Sequence, residues 1–193
     1  MMQSSLACKS SRFVLFFDIV GNVRKQGLAL IVALGIIFSS CAKDRNILFD
    51  LPFELRLEIP AGLNPLDRHF FLIRDVPTNL QAFKDQFQVG DQMISMRPSN
   101  AVLSSVGGNQ NWAFLREVEI SIFEDNDPDK DTEVFLTNNV PVNAGQSVVV
   151  LPFEDDVHNL LDTERVDFKI SIRLRGTSPS FIESVVNLSF TAE

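Results

Sequence analysis

Residues 166–174 read VDFKISIRL, and every second residue in this stretch is apolar. Successive side chains of an extended strand point to opposite faces, so the alternation predicts a β-strand with one buried face and one wet face. The same period of two runs through residues 51–59, 118–122 and 182–190. Because antiparallel sheets commonly bury one face and expose the other, these stretches predict an antiparallel β protein.

Less regular stretches complete the prediction. Four further strands are predicted at residues 69–74, 92–106, 133–137 and 147–153. Clusters of Gly, Pro, Asn and Ser predict turns between them, at residues 60–65, 107–109, 143–145 and 176–179. Two short helices are also expected, one over 79–87 capped by Thr78 and one over 157–161 capped by Asp155 or Asp156. About eight strands with short connecting helices predict an all-β antiparallel β-sandwich over residues 51–193, with a barrel as the alternative.

The charge of the chain is uneven. Residues 1–40 hold four of the 17 basic and one of the 25 acidic side chains, so the remainder carries a net charge of −11. Nucleic acid repels a domain of that charge, so we expect no nucleic-acid partner. The chain has 17 Phe, one Trp and no Tyr, which favours aromatic side chains in the core over an aromatic sugar-binding surface.

The N-terminal region has the parts of a secretory signal. Residues 27–38 read GLALIVALGIIF, follow Arg24 and Lys25, and are too short for a comfortable membrane span. Residues 1–40 are therefore predicted to be a signal peptide. The 26 residues before the apolar run are unusually many, so we also expect that translation begins near Val23 and that residues 1–22 are extra.

The end of the apolar run resembles the lipobox of bacterial lipoproteins, with Phe38 at the aliphatic position, Ser39 and Ser40 at the small positions, and Cys41. The resemblance implies cleavage before Cys41 and its acylation, which would make residues 41–50 a lipidated N-terminus and short tether. Two or more acyl chains give stable anchoring, so the membrane is an expected partner. Lys43-Asp44 resembles a minimal form of the signal on Bacteroidota surface lipoproteins, which implies an outer-membrane location. The resemblance does not specify whether the domain faces the periplasm or the outside of the cell.

The body of the chain resembles β-sandwich lipoproteins of unknown function from Bacteroidota. The resemblance rests on Phe114-Leu115, the strand 118–123, the acidic loop 124–133 and the terminal pair of strands within 166–190. It implies an immunoglobulin-like sandwich and a non-enzymatic structural or interaction module with a protein partner in the envelope. The alternative is an accessory lipoprotein that binds a small ligand or a carbohydrate.

One loop suggests a metal site. Asp125, Asp127, Asp129 and Asp131 alternate within residues 124–133, and Ca²⁺ is held by several such oxygens. Lys130 stands where an EF-hand loop needs Gly, so the loop is not an EF-hand. The loop is interpreted as a solvated acidic hairpin tip, with a Ca²⁺ site as the alternative, and no other cofactor is expected.

Other candidate residues favour structural roles. The two histidines, His69 and His158, lie far apart in the chain, and no catalytic motif surrounds any serine, so no catalytic residue is assigned and no enzyme is expected. The lone Trp112 is predicted to pack in the core. Lys169, Arg173 and Arg175 form a basic stripe on one strand, expected to pair with acids such as Glu119 or Glu183.

Overall fold

The computed structural model describes residues 46–89, 94–108, 110–124 and 127–193. The chain divides into two units, Met1–Asp44 and Arg45–Glu193, and the described residues all belong to the second. The predicted signal peptide, Phe38, Ser39, Ser40 and Cys41 lie outside them, so those interpretations stay predictions. Among the described residues, no helix is long and apolar enough to cross a membrane.

Eight strands and two short helices make up the described chain. The strands are β1 (Phe49–Ile59), β2 (Arg68–Pro77), β3 (Met96–Ser105), β4 (Leu115–Phe123), β5 (Asp131–Thr137), β6 (Ser147–Pro152), β7 (Arg165–Leu174) and β8 (Ile182–Ala192). Helix α1 (Leu80–Gln86) connects β2 to β3, and helix α2 (His158–Leu161) connects β6 to β7. The all-β prediction with short connecting helices is confirmed.

The strands form one antiparallel sheet in the order β1-β8-β3-β6-β5-β4-β7-β2. Two residue pairs, Phe135 with Pro152 and Leu136 with Leu151, join β5 to β6, whereas the β1–β8 register runs along all of β1. The sheet therefore divides at β5–β6 into a first half, β1-β8-β3-β6, and a second half, β5-β4-β7-β2. The end strands β1 and β2 come close to each other, so the sheet is nearly barrel-shaped.

The two halves enclose one apolar core. The ring of Phe53 on β1 lies 5.4 Å from that of Phe168 on β7, centroid to centroid. The ring of Phe135 on β5 lies 5.8 Å from that of Phe190 on β8. Each contact joins opposite halves, and each fully buried Phe contributes about 1.5–3 kcal/mol through its removal from water. The alternating residues of both halves therefore stabilise a single core.

The strand order does not confirm the expected immunoglobulin-like arrangement. In an immunoglobulin sandwich the first strand neighbours the second, whereas here β1 pairs with β8 and β2 pairs with β7. Alternation along a strand shows that one face is buried, but it does not specify which strand lies alongside. The predicted strands are therefore confirmed, and the predicted class of sandwich is not.

The helix ends differ in part from the prediction. Thr78 does not cap α1, because its hydroxyl donates to the carbonyl of Thr163, and Asn79 stands at the cap position with a φ of 54°. At α2, Val157 stands at the cap position in place of Asp155 or Asp156, while Asp156 accepts the backbone N–H groups of His158 and Met96, each at 3.0 Å. Asp156 thereby joins the start of β3 to the start of α2.

The alternating strand directions give the domain two ends. The odd-numbered strands begin, and the even-numbered strands finish, at the end where Phe49 pairs with Ala192. We call this end the N-terminal pole. It carries both helices and the acidic loop. The opposite end, the distal pole, carries the connections 60–67, 106–114, 138–146 and 175–181.

Candidate functional site

The acidic loop is engaged by a lysine. Lys169 Nζ lies 2.6 Å from Asp131 Oδ2 and donates to the Pro128 carbonyl at 2.8 Å. Lys130 approaches Asp127 at 3.5 Å. No three acidic, His or Cys side chains gather as a metal site within the described ranges, and Asp125 lies outside them. The Ca²⁺ interpretation of Asp125, Asp127, Asp129 and Asp131 stays a prediction, in which Ca²⁺ would compete with an ammonium for Asp131.

The ionisation of Asp131 fits this pairing. Partial burial disfavours its carboxylate, but the hydrogen bond and the positive charge of Lys169 outweigh burial. The pKa of Asp131 is consequently lowered from its ordinary value of 3.8. The carboxylate is therefore kept charged by a group of the protein itself.

The histidines lie at opposite poles. His69 Nε2 is 2.8 Å from the carbonyl of Asn64 in the 60–67 connection at the distal pole. His158 begins α2 at the N-terminal pole, and its Nε2 is buried without a hydrogen-bond partner among the described residues. The two imidazoles cannot act at one centre, and the prediction that the chain is not an enzyme stays a prediction.

Trp112 is a core residue, as predicted. Its side chain is 0% exposed and its Nε1–H donates to the carbonyl of Gln146 at 3.0 Å. Its ring lies 5.9 Å from that of Phe114. The hydrogen bond satisfies the polar edge of the indole, so its burial carries no unpaired donor.

The basic stripe does not pair with the expected acids. Lys169 binds Asp131, and Arg173 approaches Glu117 at 3.9 Å. Arg68 pairs with Glu119 at 2.7 Å and also with Glu117. The expected partner Glu183 lies opposite Glu58 on β1, in the other half. The expected pairing with acids is therefore confirmed for Lys169 and Arg173, but the acids are Asp131 and Glu117 in place of the two named ones.

Two adjoining cavities at the distal pole form the strongest candidate site. Their volumes are about 320 and 440 Å³, and they share Pro65, Leu66, Arg116 and Leu174. One continues to Asp67, Arg68 and Arg173, the other to Asn139 and Arg175. We call this surface the distal groove, defined by residues Pro65, Leu66, Arg116, Arg173, Leu174 and Arg175.

The connection that carries Leu66 is braced. Ser178 Oγ donates to the Pro60 carbonyl at 2.6 Å and accepts the Leu63 N–H at 3.0 Å. Asn64 Oδ1 accepts the Leu66 N–H at 3.0 Å, and Asn64 Nδ2 donates to Asp67 at 2.7 Å. Leu66 is 90% exposed. These hydrogen bonds fix the backbone of the loop. When a partner contacts Leu66, the loop therefore loses little conformational entropy.

A β-bulge places Arg116. On β4, Leu115 pairs with Leu174 and Glu117 pairs with the next residue, Arg173, so Arg116 is an extra residue. A bulge breaks the alternation of faces and re-aims the side chain at that point. Arg116 is exposed and lines both cavities of the distal groove.

The arginines of the groove differ in how their charges are balanced. Arg68 is balanced by two glutamates and Arg173 partly by Glu117. The Arg175 guanidinium donates to the carbonyls of Ala113 at 3.0 Å and Val140 at 2.6 Å, which fix its position without cancelling its charge. Within the described chain, neither Arg116 nor Arg175 forms an ion pair. The groove therefore presents two unbalanced positive charges beside aliphatic side chains.

A larger cavity lies at the seam between β1 and β2. Its volume is about 590 Å³, and its lining includes Phe71, Leu72 and Val106 with the carboxylates of Glu58 and Glu183. The two glutamates are directly opposite each other on β1 and β8. Like charges in that position destabilise a sheet, so the pair is a local weakness.

Sequence reasoning missed the distal groove. The Arg116-Glu117 doublet interrupts the alternation of β4 and is a signal for a bulge. The exposure of Leu66 has no comparable signal, because its loop is braced by Ser178 from a segment more than a hundred residues later. Comparisons with family models, with curated proteins and with solved structures found no match.

Proposed function

We propose that the mature chain is a lipid-anchored, non-enzymatic interaction module of the cell envelope, held by Cys41 and presenting its distal pole to a protein partner. The observation that carries the proposal is the placement of the distal groove at the end opposite the start of β1. An anchored domain can engage a partner best through the end that the anchor leaves free.

The short tether supports this arrangement. Leu48 already joins the sheet, since its N–H donates to the carbonyl of Ala192 at 2.9 Å. The seven residue-to-residue steps from Cys41 to Leu48 can span at most about 25 Å. Acylation at Cys41 would therefore hold the N-terminal pole close to the lipid surface. We further propose the outer membrane as that surface, on the resemblance of Lys43-Asp44 to the signal on Bacteroidota surface lipoproteins.

We propose a finer class for the fold as well. Two four-strand halves around one core, in the order found here, match the double-sheet jelly roll better than the immunoglobulin-like sandwich. Jelly rolls serve many unrelated functions, so the class itself carries no functional argument.

A second candidate function is an accessory lipoprotein that binds a small ligand or carbohydrate. The seam cavity favours it, because it is large enough for a small ligand and combines apolar side chains with Glu58 and Glu183. Retention of a neutral or cationic small ligand, lost on substitution of both glutamates, would favour this candidate over the first.

Metabolic labelling with a fatty acid tests the anchor. We expect label on the wild-type chain in the membrane fraction, and an unlabelled, released chain for Cys41→Ser. A Cys8→Ser chain is the control, since Cys8 lies in the predicted leader. Label that persists on Cys41→Ser would contradict the anchor. Digestion of the wild type by protease on intact cells would place the domain on the outer surface, and protection would place it in the periplasm.

A further inference from the structure

We propose that the distal groove binds an acidic protein segment that carries aliphatic side chains among its carboxylates. The inference deepens the proposed interaction function by naming the chemistry of the partner. It starts from the contrast between the groove and the remainder of the domain, whose net charge is −11 after residue 40. Among the described residues, Arg116 and Arg175 lie together in the groove without an ion pair, whereas Arg165 stands apart at the start of β7 and donates to the Asp75 carbonyl.

The two poles differ in how their charges are arranged. At the N-terminal pole, residues 154–156 supply three consecutive carboxylates. At the distal pole, Arg116, Arg173 and Arg175 converge on one groove whose lining contains one carboxylate, that of Asp67. The excess of arginine over carboxylate in the lining attracts an acidic segment to the groove at short range.

The geometry of the arginines fits carboxylates. Arg175 is fixed by the carbonyls of Ala113 and Val140, and Arg116 is placed by the β4 bulge. A guanidinium presents paired N–H donors that match a carboxylate, and one fixed in advance loses little freedom on binding. Arg173, half engaged with Glu117, can serve a further carboxylate at the edge of the groove.

The apolar part of the groove selects a protein segment over an anionic glycan. Pro65, Leu66 and Leu174 are aliphatic, and the lining of both cavities includes no aromatic ring among the described residues. Carbohydrate sites commonly use aromatic faces, whereas an aliphatic side chain of a peptide can pack against Leu66. The lining of the groove can therefore bind the carboxylates of a peptide through its arginines and an aliphatic side chain of the same peptide through Leu66.

Binding of a defined probe tests the proposal. The probe is a fluorescein-labelled hexapeptide of four glutamates around two leucines, added to the full-length chain purified in detergent. We expect binding that weakens as salt is raised and that falls about five- to tenfold in Arg116→Glu, because an attractive charge becomes a repulsive one. Leu66→Ala should also weaken binding. The matched control is Arg56→Glu, the same charge change at an arginine of β1, which should alter affinity less than about twofold.

Other outcomes overturn the proposal. They are no binding of the probe, equal weakening in Arg116→Glu and Arg56→Glu, or equal binding of a version with glutamine in place of glutamate. Binding of polygalacturonate through Arg116 without binding of the peptide would overturn the partner class. Because the assay uses detergent-purified chain, its result is independent of acylation at Cys41, so its failure is distinct from failure of the anchor.

Discussion

At the scale of single residues, two glutamates on neighbouring strands repel each other. Glu58 and Glu183 stand directly opposite each other in the first half of the sheet. Glu183→Lys would turn a repulsive cross-strand pair into an attractive one, and we expect the free energy of unfolding in urea to rise by about 0.5–1 kcal/mol.

The control for that change is Glu54→Lys, which alters the charge of the domain equally but removes the ion pair between Glu54 and Arg56 at 2.8 Å. It should leave the free energy of unfolding unchanged or slightly lower. Equal gains in both variants would mean that the domain responds to net charge alone. A gain specific to Glu183→Lys would show that the seam cavity keeps its carboxylates at a cost in stability, as ligand sites often do.

Asp156 predicts a pH dependence at the same scale. Partial burial opposes its ionisation, but hydrogen bonds from the backbone of His158 and Met96 outweigh burial and lower its pKa from 3.8. A carboxylate with a lowered pKa contributes stability above the unfolded value, and that contribution is lost as the pH falls through the folded value.

Asp156→Ala should therefore lower the free energy of unfolding by about 0.5–1 kcal/mol at pH 7, because two backbone donors lose a charged acceptor that is itself exposed and screened by solvent. The difference from wild type should shrink below pH 3.8, measured by urea unfolding at several pH values. Asp155→Ala is the control, since Asp155 is the adjacent carboxylate and likewise exposed, and it should have little effect. A difference that is constant down to pH 2 would mean that the carboxylate charge is not what stabilises this corner.

At the scale of elements, α1 ends in an unfavourable residue. Gln88 has a φ of 56°, while Val89 donates to the Lys84 carbonyl and Gln88 to the Asp85 carbonyl. These bonds form a Schellman end, where the left-handed residue is usually Gly.

Gln88→Gly should raise the free energy of unfolding by about 1 kcal/mol, because Gly adopts positive φ without steric cost. A thermal melt measures the gain. Gln86→Gly, inside the helix, should instead lower the melting temperature, since Gly there adds backbone entropy to the unfolded state. A loss of stability in both variants would show that the Gln88 side chain has a packing role.

The elements also show how far sequence reasoning reaches. The terminal strands β7 and β8 were predicted nearly to the residue, because unbroken alternation reports a half-buried strand directly. The order of the strands was not predictable, since pairing depends on contacts between distant segments. The distal groove is harder still, because it assembles a loop before β2, a bulge on β4 and the end of β7. No pattern within one stretch of sequence indicates that these three distant segments meet.

At the scale of the whole molecule, a single core joins two halves that share few hydrogen bonds. The Phe53–Phe168 and Phe135–Phe190 contacts couple the halves more than the two-residue β5–β6 link does. We therefore expect one cooperative unfolding transition for the domain.

Trp112 reports that transition. As the lone Trp and a fully buried one, it should emit at short wavelength when folded and shift to the red on unfolding. The midpoint in urea should coincide with that from far-ultraviolet circular dichroism. Two separate midpoints would mean that the halves unfold independently and that the cross-core ring contacts are weak.

The place of β8 has a consequence for how the chain is made. β8 contains residues 182–192, yet it lies between β1 and β3 and pairs with both. A ribosome delivers β8 after every other strand of this sheet, so β1 and β3 are made before the partner that they share. The edge between β1 and β3 can therefore close only after β7 has been synthesised, which makes it a late step in folding of the nascent domain.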